Sequence, residues 1–120
     1  MNKTSKKLGG YAEKIAAEYL EKKGLKVQKL NHRNNIGEID IVAKDGDVFV
    51  FVEVKAKTGD QFGSPLDMVG YRKQEKLRKL AKSYFVQNEL DESLYRIDVI
   101  AIDFSQNQPK IDWIKSAVEE

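Results

Sequence analysis

Apolar residues recur with a helical period in two segments of the chain, and these segments predict two amphipathic helices. The first helix is expected over residues 10–23, and Gly24, after two lysines, predicts its end. The second helix is expected over residues 71–87. The apolar sides of the two helices consist of Tyr11, Ala12, Ile15, Ala16, Tyr19 and Leu20, and of Leu77, Leu80, Ala81, Tyr84 and Phe85.

Shorter apolar runs predict strands between and after the helices. They cover residues 25–30, 36–43, 48–57, 94–104 and 110–114. The run 48–57 is rich in β-branched and aromatic residues, so we expect it to be central and covered on both faces. Asp45-Gly46 predicts a two-residue hairpin turn before it. The order αβββαββ predicts one α/β domain with a central mixed sheet of about five strands flanked by helices.

The chain length and the segments between the predicted elements indicate the domain organisation. A chain of 120 residues fits one core, so we expect a single domain over residues 1–120, with residues 1–8 as a flexible basic arm. Residues 58–64 are predicted as a loop, and Ser64-Pro65 can begin a helical turn. No apolar run reaches the ~18 residues of a membrane span, and none follows the basic N-terminus. We therefore expect a cytoplasmic protein without a membrane partner.

The rare residues exclude several kinds of chemistry. Cysteine is absent, which excludes a disulfide framework, a thiolate nucleophile and a cysteine-ligated zinc site. His32 is the single histidine, which excludes a three-histidine zinc site. Any metal would therefore be held mostly by carboxylate and carbonyl oxygens, the ligands that Mg²⁺, Mn²⁺ and Ca²⁺ prefer.

The net charge of +2 hides four blocks of alternating sign. Residues 1–35 carry +6 and residues 71–87 carry +5, whereas residues 36–70 carry −4 and residues 88–120 carry −5. Solvated helix faces would account for these blocks. Basic elements on both sides of an acidic centre would also suit a protein that binds nucleic acid.

The first acidic block places carboxylates on two strands of the predicted hairpin. Because side chains alternate along a strand, Glu38 and Asp40 are expected on one face, and Glu53 and Lys55 share a face of the next strand. The residues expected on the opposite face from Glu38 and Asp40 are Ile39 and Ile41. If Asp45-Gly46 forms the turn, Glu38 lies directly opposite Glu53, and Asp40 lies diagonally from Glu53, ~7–8 Å away.

Such a cluster of like charges predicts a cation. Like charges that face each other inside a sheet are destabilising, and a divalent cation at their point of convergence removes that cost. Lys55 beside the metal and a phosphate could position a water or stabilise the charge that develops at phosphorus. The alternative is an ordinary hairpin whose acidic side chains face solvent and pair with Lys55.

Glu53-Val54-Lys55, with Asp40 on the preceding strand, resembles the Asp…Glu-x-Lys core of restriction-endonuclease-like nucleases. Over nearly its whole length the chain resembles the YraN-like family of bacterial proteins, which is similar to archaeal Holliday junction resolvases. The residues that carry this resemblance are Gly9, Glu13, Ala16, Tyr19-Leu20, Gly24, Asn31, Arg33, Gly37-Glu38-Ile39-Asp40, Phe51-Val52-Glu53-Val54-Lys55, Phe62-Gly63-Ser64-Pro65, Arg72-Lys73 and Asp98-Val99.

The resemblance implies a restriction-endonuclease-like fold and a DNA endonuclease that depends on Mg²⁺ or Mn²⁺ and acts on branched or damaged DNA. Glu13 matches the first-helix glutamate of the resolvase-like pattern, so it would join Asp40 and Glu53 at the metal, and Glu38 would complete the set. Lys55 would act with Glu13, Asp40 and Glu53 in catalysis. Two departures from the family pattern, Ala12 for glycine and Tyr71 for proline, remove no chemical group.

Basic residues around this site would hold backbone phosphates without reading the sequence. The residues expected to do so are Arg33, Lys57, Arg72, Lys73 and Lys76. Lys73 falls on the apolar row of the second helix, so its amine must extend past the sheet edge, toward the site or DNA phosphate; simple snorkelling is the alternative. Resolvase-like relatives act as dimers, so the resemblance also implies a homodimer.

Other residues carry weaker hypotheses, and two other functions stay open. His32 is expected to serve packing or phosphate contact, Arg96 and Asp98 a structural ion pair, and Trp113 the core or a base-stacking edge. The same fold could be a nucleic-acid-binding module with a vestigial site. It could also be a protein-interaction domain in which the charged blocks mediate docking.

Overall fold

A computed structural model describes residues 3–58, 69–91 and 94–118, which contain two helices and five strands. In chain order these are α1 (Lys3–Lys22), β1 (Lys26–Arg33), β2 (Glu38–Asp45), β3 (Val48–Lys57), α2 (Tyr71–Gln87), β4 (Tyr95–Asp103) and β5 (Lys110–Val118). This confirms the predicted order αβββαββ. The boundaries of β3 and α2 are those that the sequence predicts.

The strands form one sheet in the order β1-β2-β3-β4-β5. Neighbouring strands are antiparallel except β3 and β4, which run parallel because α2 forms the crossover between them. The sheet is therefore mixed, and β3 lies at its centre. The predicted α/β domain, with a central mixed sheet flanked by helices, is confirmed.

Side-chain alternation along β3 divides the core into two layers. Val50 and Val52 point toward α1, where they pack with Ala12, Ala16 and Leu20. On the other face, Phe51 lies in the layer that α2 covers. Aromatic rings surround it with centroid distances between 5.5 and 6.4 Å, contributed by Phe49, Tyr84, Phe85 and Tyr95. The prediction that the 48–57 strand is covered on both faces is confirmed.

Helix α1 begins earlier than predicted and ends as predicted. It extends back to Lys3, so residues 3–8, expected to lie in a flexible arm, belong to a helix that was expected to begin at residue 10. At its end Gly24 has a φ of 96°, a left-handed conformation that glycine adopts without steric cost. The N–H of Leu25 donates to the carbonyl of Leu20 at 3.1 Å, which closes the helix.

The turn between β2 and β3 differs from the prediction. Asp45 pairs with Val48, so Gly46 and Asp47 form the turn instead of Asp45-Gly46. Asp45 stays in the strand, where its Oδ2 accepts a 3.1 Å hydrogen bond from Nη1 of Arg96. The predicted register is thus wrong by two residues. Because two residues are one full repeat of a strand, this shift by itself moves no side chain to the other face.

Two further predictions concern the segment after β3 and the possibility of a membrane-spanning helix. The predicted loop after Thr58 and the helical turn at Ser64-Pro65 lie outside the described residues. None of the helices within the described residues is long and apolar enough to cross a membrane.

Candidate active site

Strands β2 and β3 separate where the acidic residues begin. Their ladder ends with the pair Ile41 and Val52, and the same register continued by one position would set Asp40 opposite Glu53. Instead, Oδ2 of Asp40 accepts a 2.8 Å hydrogen bond from the backbone N–H of Val54. The carboxylate of Asp40 therefore takes the place of a backbone acceptor of β2 and binds the N–H of β3 itself.

The separation also breaks the alternation of β2. Ile39 packs in the layer covered by α2, whereas Ile41 packs in the layer covered by α1. The prediction that both isoleucines share one face is wrong, because the strand rotates at Asp40, whose side chain bonds to the neighbouring strand. Asp40 consequently lies between the two faces of the sheet and interacts with carboxylates from both sides.

On the α1 side, three carboxylates converge. One oxygen each from Glu13, Glu38 and Asp40 lies within 4.8 Å of the others, and all three residues are half-buried. Burial and the negative charge of Asp40 raise the pKa of Glu13 to about 7, against a hydrogen bond with Asn31 that lowers it. A cation at this point would stabilise the anion of Glu13 against both burial and the charge of Asp40.

On the α2 side, Glu53 is almost fully buried, with 4% of the residue exposed. Burial and the charge of Asp40 raise its pKa to about 7, while Lys73 and Lys55 act in the opposite direction. The Nζ of Lys73 lies 3.4 Å from Oε2 of Glu53, and the Nζ of Lys55 lies 3.9 Å from Oε1. Oε2 nevertheless accepts no hydrogen bond of good geometry from the described residues.

Three of the four predicted metal ligands thus lie together, and the fourth lies on the other side of the sheet. Glu13, Glu38 and Asp40 form one group, and Glu53 joins through Asp40 from the opposite side of the sheet. The predicted convergence of Glu38, Asp40 and Glu53 on one face is therefore wrong, although Asp40 interacts with each of the other three carboxylates. Their role as ligands, and that of Lys55 in catalysis, stays a prediction.

The predicted phosphate-binding residues fall into two groups. Arg33 and Lys73 already face carboxylates, with Nε of Arg33 3.3 Å from Oε2 of Glu38. Arg72 and Lys76 are exposed on α2, and half-buried Lys57 ends β3. Lys73 reaches the site from the apolar row of its helix, as predicted. Nucleic-acid binding by these five residues stays a prediction.

Sequence reasoning missed the residue that organises the connection before Glu38. Oδ1 of Asn34 accepts hydrogen bonds from the N–H groups of Ile36 at 2.9 Å and Gly37 at 3.3 Å. Its Nδ2 donates to Oγ of Ser83 at 3.0 Å and to Oε1 of Gln87 at 3.2 Å. Asn34 thereby fixes the start of β2 to α2. The only sequence signal is the pair Asn34-Asn35 shortly before Gly37, a composition typical of turns.

Away from the site, the weaker predictions have clear outcomes. Arg96 Nε donates to both carboxylate oxygens of Asp98 at 3.1 Å, which confirms the structural ion pair. Trp113 is half-buried against the α1 layer and donates its indole N–H to Asp98 at 2.9 Å. His32 is buried and its ring lies edge-on to Tyr84 at 5.2 Å, so it serves packing.

Comparison with known proteins identifies the family. The family described as "Uncharacterised protein family UPF0102" matches residues 12–102, which include the acidic residues and both lysines at Glu53. A UPF0102 protein from Thermodesulfovibrio yellowstonii is 46% identical over 110 residues, 92% of this chain and 94% of the relative. One from Pelotomaculum thermopropionicum is 45% identical over 101 residues, 84% of each chain. One from Clostridium kluyveri is 39% identical over 121 residues, 99% of each chain. The chain therefore belongs to the UPF0102 family, which confirms the YraN-like resemblance.

Proposed function

We propose that this protein is a metal-dependent nuclease that hydrolyses phosphodiester bonds in DNA. The observation that carries the proposal is Glu53. It is a buried carboxylate beside Asp40, and its Oε2 accepts no hydrogen bond from the described residues. Burying a carboxylate beside a second carboxylate costs free energy, and such groups cluster at functional sites.

The residues present fit Mg²⁺ or Mn²⁺. These ions prefer several oxygen ligands, and Glu13, Glu38 and Asp40 offer one oxygen each within 4.8 Å of the others. Asp40 also interacts with Glu53, so Asp40 would connect the ion to Glu53. Burial and the charge of Asp40 raise the pKa of Glu13 and Glu53, and the positive charge of the ion would offset the repulsion by Asp40.

When bound, the ion would polarise a phosphoryl oxygen and lower the pKa of a coordinated water. Lys55 contributes independently, because its amine lies 3.9 Å from Oε1 of Glu53 with 33% of the side chain exposed. From there it can hold the attacking water and neutralise the charge that develops at phosphorus.

The distribution of charge supports a nucleic-acid substrate. The segment 71–87, which carries a net positive charge, forms α2. In its first two turns Lys73 contacts Glu53, and Arg72 and Lys76 are exposed to solvent. Phosphate contacts of this kind position a strand without reading its sequence. The proposal therefore includes branched or damaged DNA, recognised by shape and charge, as the substrate.

One observation favours a second function. Lys55 and Lys73 place two positive charges beside Glu53. A nucleic-acid-binding module with a vestigial nuclease site would need no further cation. Such a module would bind DNA in a salt-dependent manner and would not cleave it.

Cleavage assays with purified protein test the proposal directly. Junction, flap and single-stranded DNA are incubated with Mn²⁺ and with wild type, Glu53→Gln, Asp40→Asn or Glu18→Gln. Glu18 is an exposed glutamate of the same helix as Glu13, so its variant is the matched control. We expect cleavage by wild type and Glu18→Gln and its loss in the other two. Equal cleavage by wild type and Glu53→Gln, or cleavage by neither, would sink the nuclease proposal.

A further inference from the structure

Strand β1 rotates at the same level as β2, next to the acidic residues. The residues before and after Asn31 pair with Ile41 and Ile39 of β2, so Asn31 lies opposite Asp40. Ile41 packs in the layer covered by α1 and Ile39 in the layer covered by α2, although residues two apart in a regular strand share a face. Because the pairing keeps one register across this level, β1 must rotate with β2. Asn31 has a φ of 53°, which is the backbone conformation that turns β1 there.

A left-handed φ restricts the choice of residue at this position, since it costs free energy in most residues that have a Cβ. Two other described residues besides the glycines, Glu89 and Ser116, share this conformation. Both have a reason in the fold, because Glu89 follows the end of α2 and the N–H of Ser116 binds Asp98. At position 31 glycine would satisfy the backbone without strain. The side chain of Asn31 is exposed, so packing does not explain it either.

The contact of the Asn31 side chain supplies the reason. Its amide donates a hydrogen bond to the carboxylate of Glu13. Glu13 belongs to α1, whereas Glu38 and Asp40, which both repel it, belong to β2. Such repulsion favours conformations in which the long side chain of Glu13 turns away from the other carboxylates. A hydrogen bond from a fixed position on β1 opposes this movement and keeps Glu13 within the group.

The partners of the other glutamates of the site are cations. Nε of Arg33 lies 3.3 Å from Glu38, and Nζ of Lys73 lies 3.4 Å from Glu53. A cationic partner offsets the charge of its carboxylate and therefore competes with a metal ion. The amide of Asn31 is neutral, so it orients its carboxylate without a charge that repels the ion. Outer hydrogen bonds of this kind fix the orientation of metal ligands and sustain metal affinity.

We propose that Asn31 is a positioning residue of the candidate metal site, which holds the carboxylate of Glu13 beside Asp40 through its side-chain amide. Asparagine combines a backbone that tolerates the left-handed conformation with an amide donor, and glycine supplies only the first of these. The inference deepens the proposed function and rests on it for the identity of the ligand, a divalent cation. It also extends the site to β1, a strand that carries none of the four carboxylates.

Metal binding by Asn31→Gly tests the role of the side chain. The variant keeps the left-handed backbone without strain and lacks the amide. We expect it to melt in EDTA at the same temperature as wild type or higher, because relief of strain offsets the lost hydrogen bond. Its Mn²⁺ affinity, measured by isothermal titration calorimetry, should fall by about 10- to 100-fold. The matched control is Asn35→Gly, which removes an exposed asparagine from the connection between β1 and β2 and should bind Mn²⁺ as wild type does.

A double-mutant cycle with Glu13→Ala shows whether Asn31 acts through Glu13. Without that carboxylate the amide has nothing to position, so adding Asn31→Gly should change Mn²⁺ affinity by less than about twofold. The same cycle in EDTA measures the contact without metal. Relief of strain is equal in both backgrounds, but only the protein with Glu13 loses a hydrogen bond. Asn31→Gly should therefore raise the melting temperature by roughly 2–6 °C more in the Glu13→Ala background than in wild type.

Three results would overturn the role of Asn31: unchanged Mn²⁺ affinity in Asn31→Gly, equal weakening in both backgrounds, or additive melting temperatures in EDTA. Circular dichroism of each variant shows that it is folded. Failure of the two proposals can be told apart. Mn²⁺ binding that depends on Asn31 but is accompanied by no DNA cleavage rejects the nuclease and keeps the positioning residue. Cleavage with unchanged Mn²⁺ affinity in Asn31→Gly does the reverse, and a wild type that binds no Mn²⁺ rejects both.

Discussion

The amine of Lys73 lies 3.4 Å from Oε2 of Glu53, so an ion pair joins α2 to the central strand at the candidate site. The two partners differ in exposure, at 36% for the Lys73 side chain and 5% for that of Glu53. The side chain of Lys73 therefore extends from the surface to the buried carboxylate of Glu53. Its charge therefore acts on the carboxylate that also interacts with Asp40.

Replacing Lys73 by methionine should separate stability from metal affinity. Without the amine, the metal-free protein should lose about 1–2 kcal/mol, less than for a fully buried pair because Lys73 is partly exposed and Glu53 can take up a proton. Mn²⁺ should bind more tightly, because a competing positive charge is gone. Thermal unfolding with and without Mn²⁺ measures both quantities, since a ligand raises stability according to its affinity.

The matched control for this change is Lys79→Met, which removes an exposed lysine from the same helix. It should alter neither the melting temperature nor the stabilisation by Mn²⁺. If Lys73→Met weakened Mn²⁺ binding, Lys73 would be supporting the site through its structure and would not be competing with the ion.

The raised pKa of Glu53 makes the stability of the metal-free protein depend on pH. Its pKa is about 7 in the folded protein, against an ordinary pKa of 4.5 for the free side chain. Between these values the folded state binds more protons, so this contribution to stability is complete below pH 4.5 and is lost as pH rises toward 7. Mn²⁺ affinity should change in the opposite direction and increase from pH 6 to 8, because the ion displaces these protons.

Glu53→Gln isolates this contribution. The pKa of His32 is lowered by burial and by Lys29, so His32 favours the folded state as pH rises and opposes the trend of Glu53. Subtracting the melting temperature of Glu53→Gln from that of wild type at each pH removes the effect of His32. A difference that stays constant from pH 5 to 8 would contradict the raised pKa.

The sequence was sufficient for the fold because the strand and helix patterns are strong where the core is. Phe51 and its neighbours form a continuous apolar run, and the five apolar residues of α2 that the pattern selected are all buried. The hairpin register could not be read from local turn preference. Arg96, 51 positions away, binds Asp45 and keeps it in the strand, which moves the turn to Gly46 and Asp47.

In the candidate site too, features set by nearby residues could be predicted from the sequence, and features set by contacts with distant residues could not. Residue type and alternation selected Asp40 and Glu53, and the resemblance added Glu13. Strand alternation could not reveal that β2 rotates at Asp40, because the cause is the backbone N–H of Val54 on another strand. The role of Asn34 was also hidden, since its partners Ser83 and Gln87 lie in α2.

A fully buried carboxylate elsewhere in the sheet provides the contrast to the site. Asp98 is 0% exposed, and its oxygens accept hydrogen bonds from Arg96, from the indole of Trp113 and from the N–H of Ser116. Ser116 has a φ of 52°, a conformation that costs free energy in a residue other than glycine. The hydrogen bond from its N–H helps to hold the irregular stretch of β5 against β4. Every oxygen of Asp98 is thus satisfied within the described residues, in contrast to Oε2 of Glu53.

Asp98→Ala and Asp40→Asn should therefore have opposite effects on stability. Asp98→Ala leaves Nε of the half-buried Arg96 and the indole N–H of Trp113 without an acceptor and should cost about 3–5 kcal/mol, which lowers the melting temperature by roughly 10–20 °C. Asp40→Asn keeps the shape of the side chain and removes a charge that raises the pKa of both Glu13 and Glu53, so the metal-free protein should melt at the same or a higher temperature. Differential scanning calorimetry in EDTA measures both changes. A carboxylate kept for metal binding is expected to destabilise the metal-free protein, so its removal should cost no stability. A large destabilisation by Asp40→Asn would instead mean that the carboxylate serves to hold the strands together.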